Sequence, residues 1–220
     1  MRPEDAVIGV LALQGAFREH INLLSSLTNP PQALPVRTSA DLEKCNGLII
    51  PGGESTTIAL IASRTDLLAS LRKFVHVDKK PVWGTCAGMI LLSDQVLGAS
   101  AKLGGQELIK GMSIQVVRNQ WGRQIESFEH QLQIPCIPDS DKPFPGVFIR
   151  APVLHSILDK DSVKVLCTVP RETLPDPLAS CPDAHVVALR QGHMFVTSFH
   201  PELTGDNRIH QWWVEDFVLK

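Results

Sequence analysis

Apolar runs rich in Val, Ile and Leu recur along the chain between stretches with a helical stripe, the alternation expected of a parallel sheet covered by helices on both faces. The first run, Val7 to Leu13, is continuous and ends at Gln14-Gly15, which predicts a buried central strand. Ala16 to Leu27 then sets Phe17, Ile21, Leu24 and Leu27 on one stripe and turns Arg18, Glu19 and Asn22 elsewhere. This is a helix, stopped by Asn29-Pro30-Pro31, and its stripe reads as core before it reads as a docking face. Gly47 to Ile50 is a second strand, broken by Pro51-Gly52-Gly53, and Ser55-Thr56-Thr57 offers caps for a helix through about Ala62. Leu67 to Val75 predicts another helix, leading into the short apolar run Pro81-Val82-Trp83. Beyond Gln95 the pieces become shorter and more β-like: Ile114 to Val117, Gly146 to Ile149, Val163 to Val169, Val186 to Leu189 and Phe195 to Phe199. Ile209 to Val218 is the last helix, and Pro170 to Pro182, with four prolines, reads as a surface loop. With no internal repeat and no convincing boundary, residues 1–220 are expected to form one α/β domain.

Composition narrows the function classes. Hydrophobic residues make up 44% and charged residues 20% of 220, the balance of an ordinary globular protein. The longest apolar runs fall far short of the roughly 20 residues a membrane helix needs, and Met1-Arg2-Pro3-Glu4-Asp5 does not resemble a signal peptide. A cytoplasmic location is therefore expected. A net charge of −2 leaves no electrostatic footprint for nucleic acid or an anionic membrane. The five cysteines (Cys45, Cys86, Cys136, Cys167 and Cys181) are scattered and include no C-x-x-C pair, so neither a disulfide framework nor a metal site is expected.

Cys86 differs from the other four in its setting, Gly84-Thr85-Cys86-Ala87-Gly88, after a strand and before the helix-like Met89 to Leu92. A strand, a sharp turn and a helix hold a nucleophile at the top of a sheet, and a helix N-terminus favours thiolate over thiol. Far downstream, Ser198-Phe199-His200-Pro201-Glu202 offers an imidazole to exchange a proton with the thiol and a carboxylate to orient the ring. In an extended segment His200 and Glu202 would point to the same side. Each piece alone also has a plain reading, as close packing in a turn or a structural histidine. Pro51-Gly52-Gly53 lies at the carboxyl end of a strand, where the N–H of Gly53, with that of Ala87, would form an oxyanion hole. Glu54 and the lack of a following Gly-Lys-Ser/Thr argue against a phosphate cradle, which leaves a plain turn as the other reading. Arg118 and Arg150 are candidates for gripping a substrate carboxylate, although arginines beside strands commonly pair at the surface.

Together the elbow, the Gly-Gly turn and the His-Pro-Glu segment resemble a class I, triad-type glutamine amidotransferase. The likeness narrows at Gly9 to His20, which resembles the N-terminal signature of the glutaminase subunit of pyridoxal 5′-phosphate synthase. Further matching blocks are Leu48 to Thr57, Trp83 to Gly88, Arg118 to Gln124, Phe148 to Pro152 and Ser198 to Leu203, in order along nearly the whole chain. The resemblance implies a three-layer, flavodoxin-like fold with a mostly parallel central sheet. It further implies that Cys86, His200 and Glu202 form the triad, and that Gly53, Glu54, Ser55, Arg118, Ile149 and Arg150 bind L-glutamine. It implies no cofactor in this chain, and a partner: a (β/α)8-barrel synthase subunit that receives the ammonia. Because ammonia must be kept from bulk water, docking of that partner is expected to complete the oxyanion hole at Gly53.

Gln120-Trp121 departs from the small residue and Phe more common in the family. The stretches around Pro30, Leu103 and Pro175 are longer than in compact bacterial members, and both features resemble the fungal branch. Two rivals stand beside this reading. One is a γ-glutamyl hydrolase or peptidase of the same fold, against which the Leu13-Gln14-Gly15-Ala16 block weighs. The other is a non-catalytic regulatory subunit, against which an intact Cys86, His200 and Glu202 weighs.

Overall fold

The structure, a computed structural model, describes residues 1–98, 106–118, 127–174 and 181–220. Its centre is a seven-stranded sheet in the order β10-β11-β12-β4-β3-β1-β2. The strands are β1 (Val7–Leu11), β2 (Gln32–Val36), β3 (Gly47–Ile50), β4 (Val82–Thr85), β10 (Lys164–Thr168), β11 (Val186–Gln191) and β12 (Met194–Thr197). Pairing is parallel from β2 through β12 and antiparallel only across β12, β11 and β10. β4, which carries Cys86 at its end, pairs in parallel with β12, which leads to His200, with Thr85 opposite Thr197.

Alternation within the strands sends side chains to two apolar layers. Leu48, Ile50 and Val82 pack on one face with residues of α2 (Ser39–Glu43), α3 (Ser55–Ser63), α4 (Leu67–His76) and α5 (Ala87–Leu92). Ile49 and Trp83, with Ile8 and Val10, pack on the other with α1 (Phe17–Ser25) and α6 (Arg208–Trp213), the latter running into a π-helical turn, Val214–Val218. Two smaller sheets complete the fold: β5 (Ser93–Leu97), β6 (Met112–Val117) and β9 (Val153–Ile157), and the hairpin β7 (Ser127–Leu132) with β8 (Phe144–Ile149). Among the described residues no helix is long and apolar enough to cross a membrane.

The predicted strands and helices at the core of the sheet are present, with ends trimmed by a few residues: Val7 to Leu13 becomes β1 ending at Leu11, and the helix from Ala16 starts at Phe17. Five elements went unread in the sequence: β2, α2, β5, β7 and β9. β2 contains Pro35, which demotes a run to a sheet edge, and β2 is one of the two edge strands of the large sheet. α2 is short and held by a capping box between Thr38 and Asp41. The blocks Asn119 to Gln124, the stretch around Leu103 and much of the proline-rich loop lie outside the described residues.

Candidate active site

Cys86 occupies the turn between β4 and α5 with φ 46° and ψ −100°, a left-handed conformation costly for a residue with a Cβ. The turn is held on both sides: the Cys86 N–H donates to the Thr197 carbonyl at 2.8 Å, and its carbonyl accepts from Ile90 N–H at 3.3 Å. Gly88 must be glycine, because a Cβ there would strike the carbonyl oxygen of Ile50 in β3.

His200 follows β12 and Phe199. Its backbone N–H donates to the Val147 carbonyl of β8 at 2.7 Å, which ties the small hairpin to the site. Pro201–Leu203 forms a 3-10 turn, so the extended link expected between His200 and Glu202 is replaced by a tighter one, with Pro201 starting the turn. The turn still brings the two side chains together: His200 Nδ1 lies 2.7 Å from Glu202 Oε1, and both residues are buried. The other edge of the imidazole faces Cys86. Burial acts against a charge on His200, but hydrogen bonds and charge from Cys86 and Glu202 prevail and raise its pKa to about 10. The consequence is an imidazolium at neutral pH that faces the Cys86 sulfur.

The cleft over this pair has a volume of about 350 Å³ and is lined by Gly53, Glu54, Ser55, Cys86, Arg118, Ile149, Arg150 and His200. All six residues expected from the resemblance to bind glutamine thus border the same space as the cysteine. Ser55 is buried at the start of α3, whereas Ile149 and Arg150 are exposed at the end of β8, Arg150 with φ 45°. Ala87 opens α5, whose first N–H groups have no acceptor within the helix.

Two details differ from the sequence reading. The cap of α3 is Glu54, not the Ser-Thr-Thr run: its carboxylate accepts from the N–H groups of Thr56 at 3.2 Å and Thr57 at 2.7 Å, and from both hydroxyls. Partial burial opposes its ionisation, but those hydrogen bonds pull its pKa down to about 2. Arg118 is also engaged within the protein, donating from Nη1 to Gln106 Oε1 at 2.9 Å, the oxygen that also accepts from the Ser55 hydroxyl at 3.2 Å.

Sequence reasoning left several residues of this region without a role. Gln14 lines the cleft, and its Oε1 accepts from the Glu54 N–H at 2.7 Å. Its backbone neighbour Gly15 has φ 97°, and a Cβ there would collide with the Gly52 carbonyl, so the β1 and β3 turns can touch only through glycine. Ile90 supplies an apolar wall. Behind Glu202 lie His20, Thr85 and His210, all buried.

Comparison with known proteins accords with this geometry. Residues 10–219 match the SNO glutamine amidotransferase family. The chain belongs to that family. It is 44% identical over 220 residues to the pyridoxal 5′-phosphate synthase subunit SNO1 of Saccharomyces cerevisiae, covering 96% of this chain and 93% of that protein. It is 43% identical over 208 residues to the pyridoxal 5′-phosphate synthase subunit PdxT of Dehalococcoides mccartyi, covering 94% and 95%. A solved glutamine amidotransferase superposes with a TM-score of 0.77 at 39% identity, covering 96% of this chain and 98% of the other. The fold of this SNO-family chain is thus that of the class I amidotransferases, as the sequence resemblance implied.

Proposed function

We propose that this SNO-family protein hydrolyses L-glutamine to L-glutamate and ammonia, with Cys86 as nucleophile, His200 as acid and base, and Glu202 as the group that orients and charges His200. One observation carries the reading: a buried imidazole set between Cys86 and Glu202 at the floor of a cleft rimmed by two arginines. The Cys86 thiolate attacks the side-chain amide carbon, and the electron pair of the carbonyl moves to oxygen. That oxyanion is assigned to the N–H groups of Gly53 and Ala87. His200 passes its proton to the departing nitrogen, the C–N bond breaks, and ammonia leaves a thioester. Water, losing a proton to His200, attacks the thioester through a second oxyanion and releases glutamate and the thiolate.

The substrate is assigned by the rim. A guanidinium of Arg118 or Arg150 matches the α-carboxylate, and the exposed Glu54 carboxylate beside Gly53 matches the α-ammonium. The cleft is of a size for one amino acid rather than a peptide. Because relatives are named pyridoxal 5′-phosphate synthase subunits, we assign the ammonia to a separate synthase subunit of (β/α)8-barrel form, in the cytoplasm, for vitamin B6 biosynthesis.

The test is glutamate release from glutamine with and without that synthase, for the unaltered chain and for Cys86→Ala. Release that rises with the synthase and is lost in Cys86→Ala is the expected result. Release retained by Cys86→Ala would overturn the nucleophile, and release indifferent to the synthase would overturn the partner.

A further inference from the structure

Behind the candidate triad lies a second row of polar groups that the reaction scheme does not use. His20 on α1 is fully buried, an uncommon place for a histidine, and its Nε2 lies 3.4 Å from Glu202 Oε2 and 3.3 Å from the Thr85 hydroxyl. Its Nδ1 lies 2.9 Å from Nε2 of His210 on α6, also fully buried. Trp83 packs edge-on against both rings, with centroids 5.7 and 4.8 Å away. Glu202 Oε2 makes no formed hydrogen bond among the described residues, and His20 Nε2, 3.4 Å away, is the side-chain nitrogen that approaches it.

The proton positions in this row follow from Glu202. An ionised carboxylate only accepts, so the ring nitrogen facing it carries hydrogen, and His20 is the Nε2–H tautomer. Its Nδ1 is then an acceptor and requires a donor, which makes His210 the Nε2–H tautomer as well. That assignment leaves His210 Nδ1 as the unprotonated end of the row, in accord with its lack of any partner among the described residues.

We propose that His20, locked in the Nε2–H tautomer by His210, is a positioning residue that keeps Glu202 ionised and aimed at His200. The proposal rests on the triad reading above. A buried carboxylate oxygen with no donor favours the protonated acid, and a protonated Glu202 offers no countercharge to the His200 imidazolium. The proton would then pass from His200 back to the Cys86 sulfur, and the thiolate would be lost. The titratable groups facing this row are Cys86, His200, Glu202, His20 and His210, with Asp206 acting on His210 through its charge. Burial holds both His20 and His210 neutral, helped at His20 by the imidazoles of His210 and His200 and opposed at His210 by Asp206, so the row supplies a donor without a competing cation.

Two measurements test it. In ring-nitrogen NMR of the unaltered chain, His20 is expected to show a protonated Nε2 and an unprotonated Nδ1 at neutral pH. The opposite tautomer, or a doubly protonated ring, would overturn the proposal without any variant. In the second, the rate of Cys86 alkylation by iodoacetamide is followed against pH by peptide mass spectrometry, and glutamate release is followed in the complex with the synthase. His20→Leu is expected to slow alkylation at pH 7 and to lower kcat by roughly 10- to 100-fold, the size of a hydrogen bond to a charged group, with KM little changed. His20→Gln, which returns an N–H to the position of Nε2, is expected to restore most of both. Unaltered protein that alkylates only as an ordinary thiol would sink the triad and this proposal together. An alkylation curve of His20→Leu that superimposes on that of a reactive unaltered Cys86 would sink this proposal alone.

Discussion

At the scale of single residues, the site separates one reactive thiol from a background of unreactive ones. Burial pushes the thiol of Cys45 up to about 11, with Lys80 opposing, and that of Cys167 up to about 12, with Cys136 adding to the rise, while Cys86 faces a protonated imidazole. Brief alkylation at pH 7 is therefore expected to mark Cys86 and leave Cys45 and Cys167 untouched, as peptide mapping would show. Glu202→Gln replaces a charge with a neutral amide at the same position, and kcat is expected to fall by roughly 10²- to 10⁴-fold, as when a triad carboxylate is neutralised elsewhere. An unchanged kcat would remove Glu202 from the triad. Cys86 and its partners were legible in the sequence because small residues, a strand and a helix are all adjacent in the chain. His20 was not, since its partners lie on other elements, yet its place was marked: it stands three residues after Phe17 and four before Leu24, on the buried stripe of α1.

At the scale of elements, the turns at the ends of β1, β3 and β4 are packed against one another so closely that side chains are excluded between them. Gly88→Ala forces a Cβ into the Ile50 carbonyl, and a loss of about 1–3 kcal/mol in stability is expected, together with a displaced elbow. Denaturant titration beside an activity assay checks both. Glu54→Gln weakens the cap of α3 and is expected to cost about 1 kcal/mol at neutral pH, a loss that is complete above pH 4.5 and fades as the pH falls toward 2, where the native carboxylate is protonated. Equal stability of Glu54→Gln and the unaltered chain at pH 7 would show the cap to be unimportant. The cap also shows where reading by residue type falls short. Ser, Thr and Asp are the common caps, which points to the run Ser55-Thr56-Thr57, but Glu54 reaches forward into the first turn with both oxygens. Likewise β7 (Ser127–Leu132) and β9 (Val153–Ile157) are short and mix polar and apolar residues without strict alternation, which leaves little periodicity to detect.

At the scale of the whole molecule, buried histidines set opposite limits on stability with pH. His210 is pushed down to about 3 by burial, with Asp206 opposing weakly, from an ordinary value of 6.5. A depressed histidine contributes stability that is complete above pH 6.5 and is lost as the pH falls toward 3, because the unfolded chain takes up the proton first. His20 is shifted in the same direction, by burial and by its histidine neighbours. His200, raised to about 10, contributes stability that is complete below 6.5 and lost as the pH rises through 10. The free energy of unfolding is therefore expected to fall by an amount on the order of a few kcal/mol between pH 6.5 and 4, and His210→Phe is expected to flatten that fall. A midpoint independent of pH over this range would contradict the neutral, buried state of the pair.

The parallel pairing of β4 with β12 has a further consequence. A chain emerging from the ribosome presents Cys86 long before β12 and the His200 that follows it have been made. A nascent fragment thus lacks the imidazole that faces Cys86 in the complete fold. Its chemistry is switched on by the closing of the last parallel ladder, so the completeness of the sheet and the competence of the nucleophile are one event.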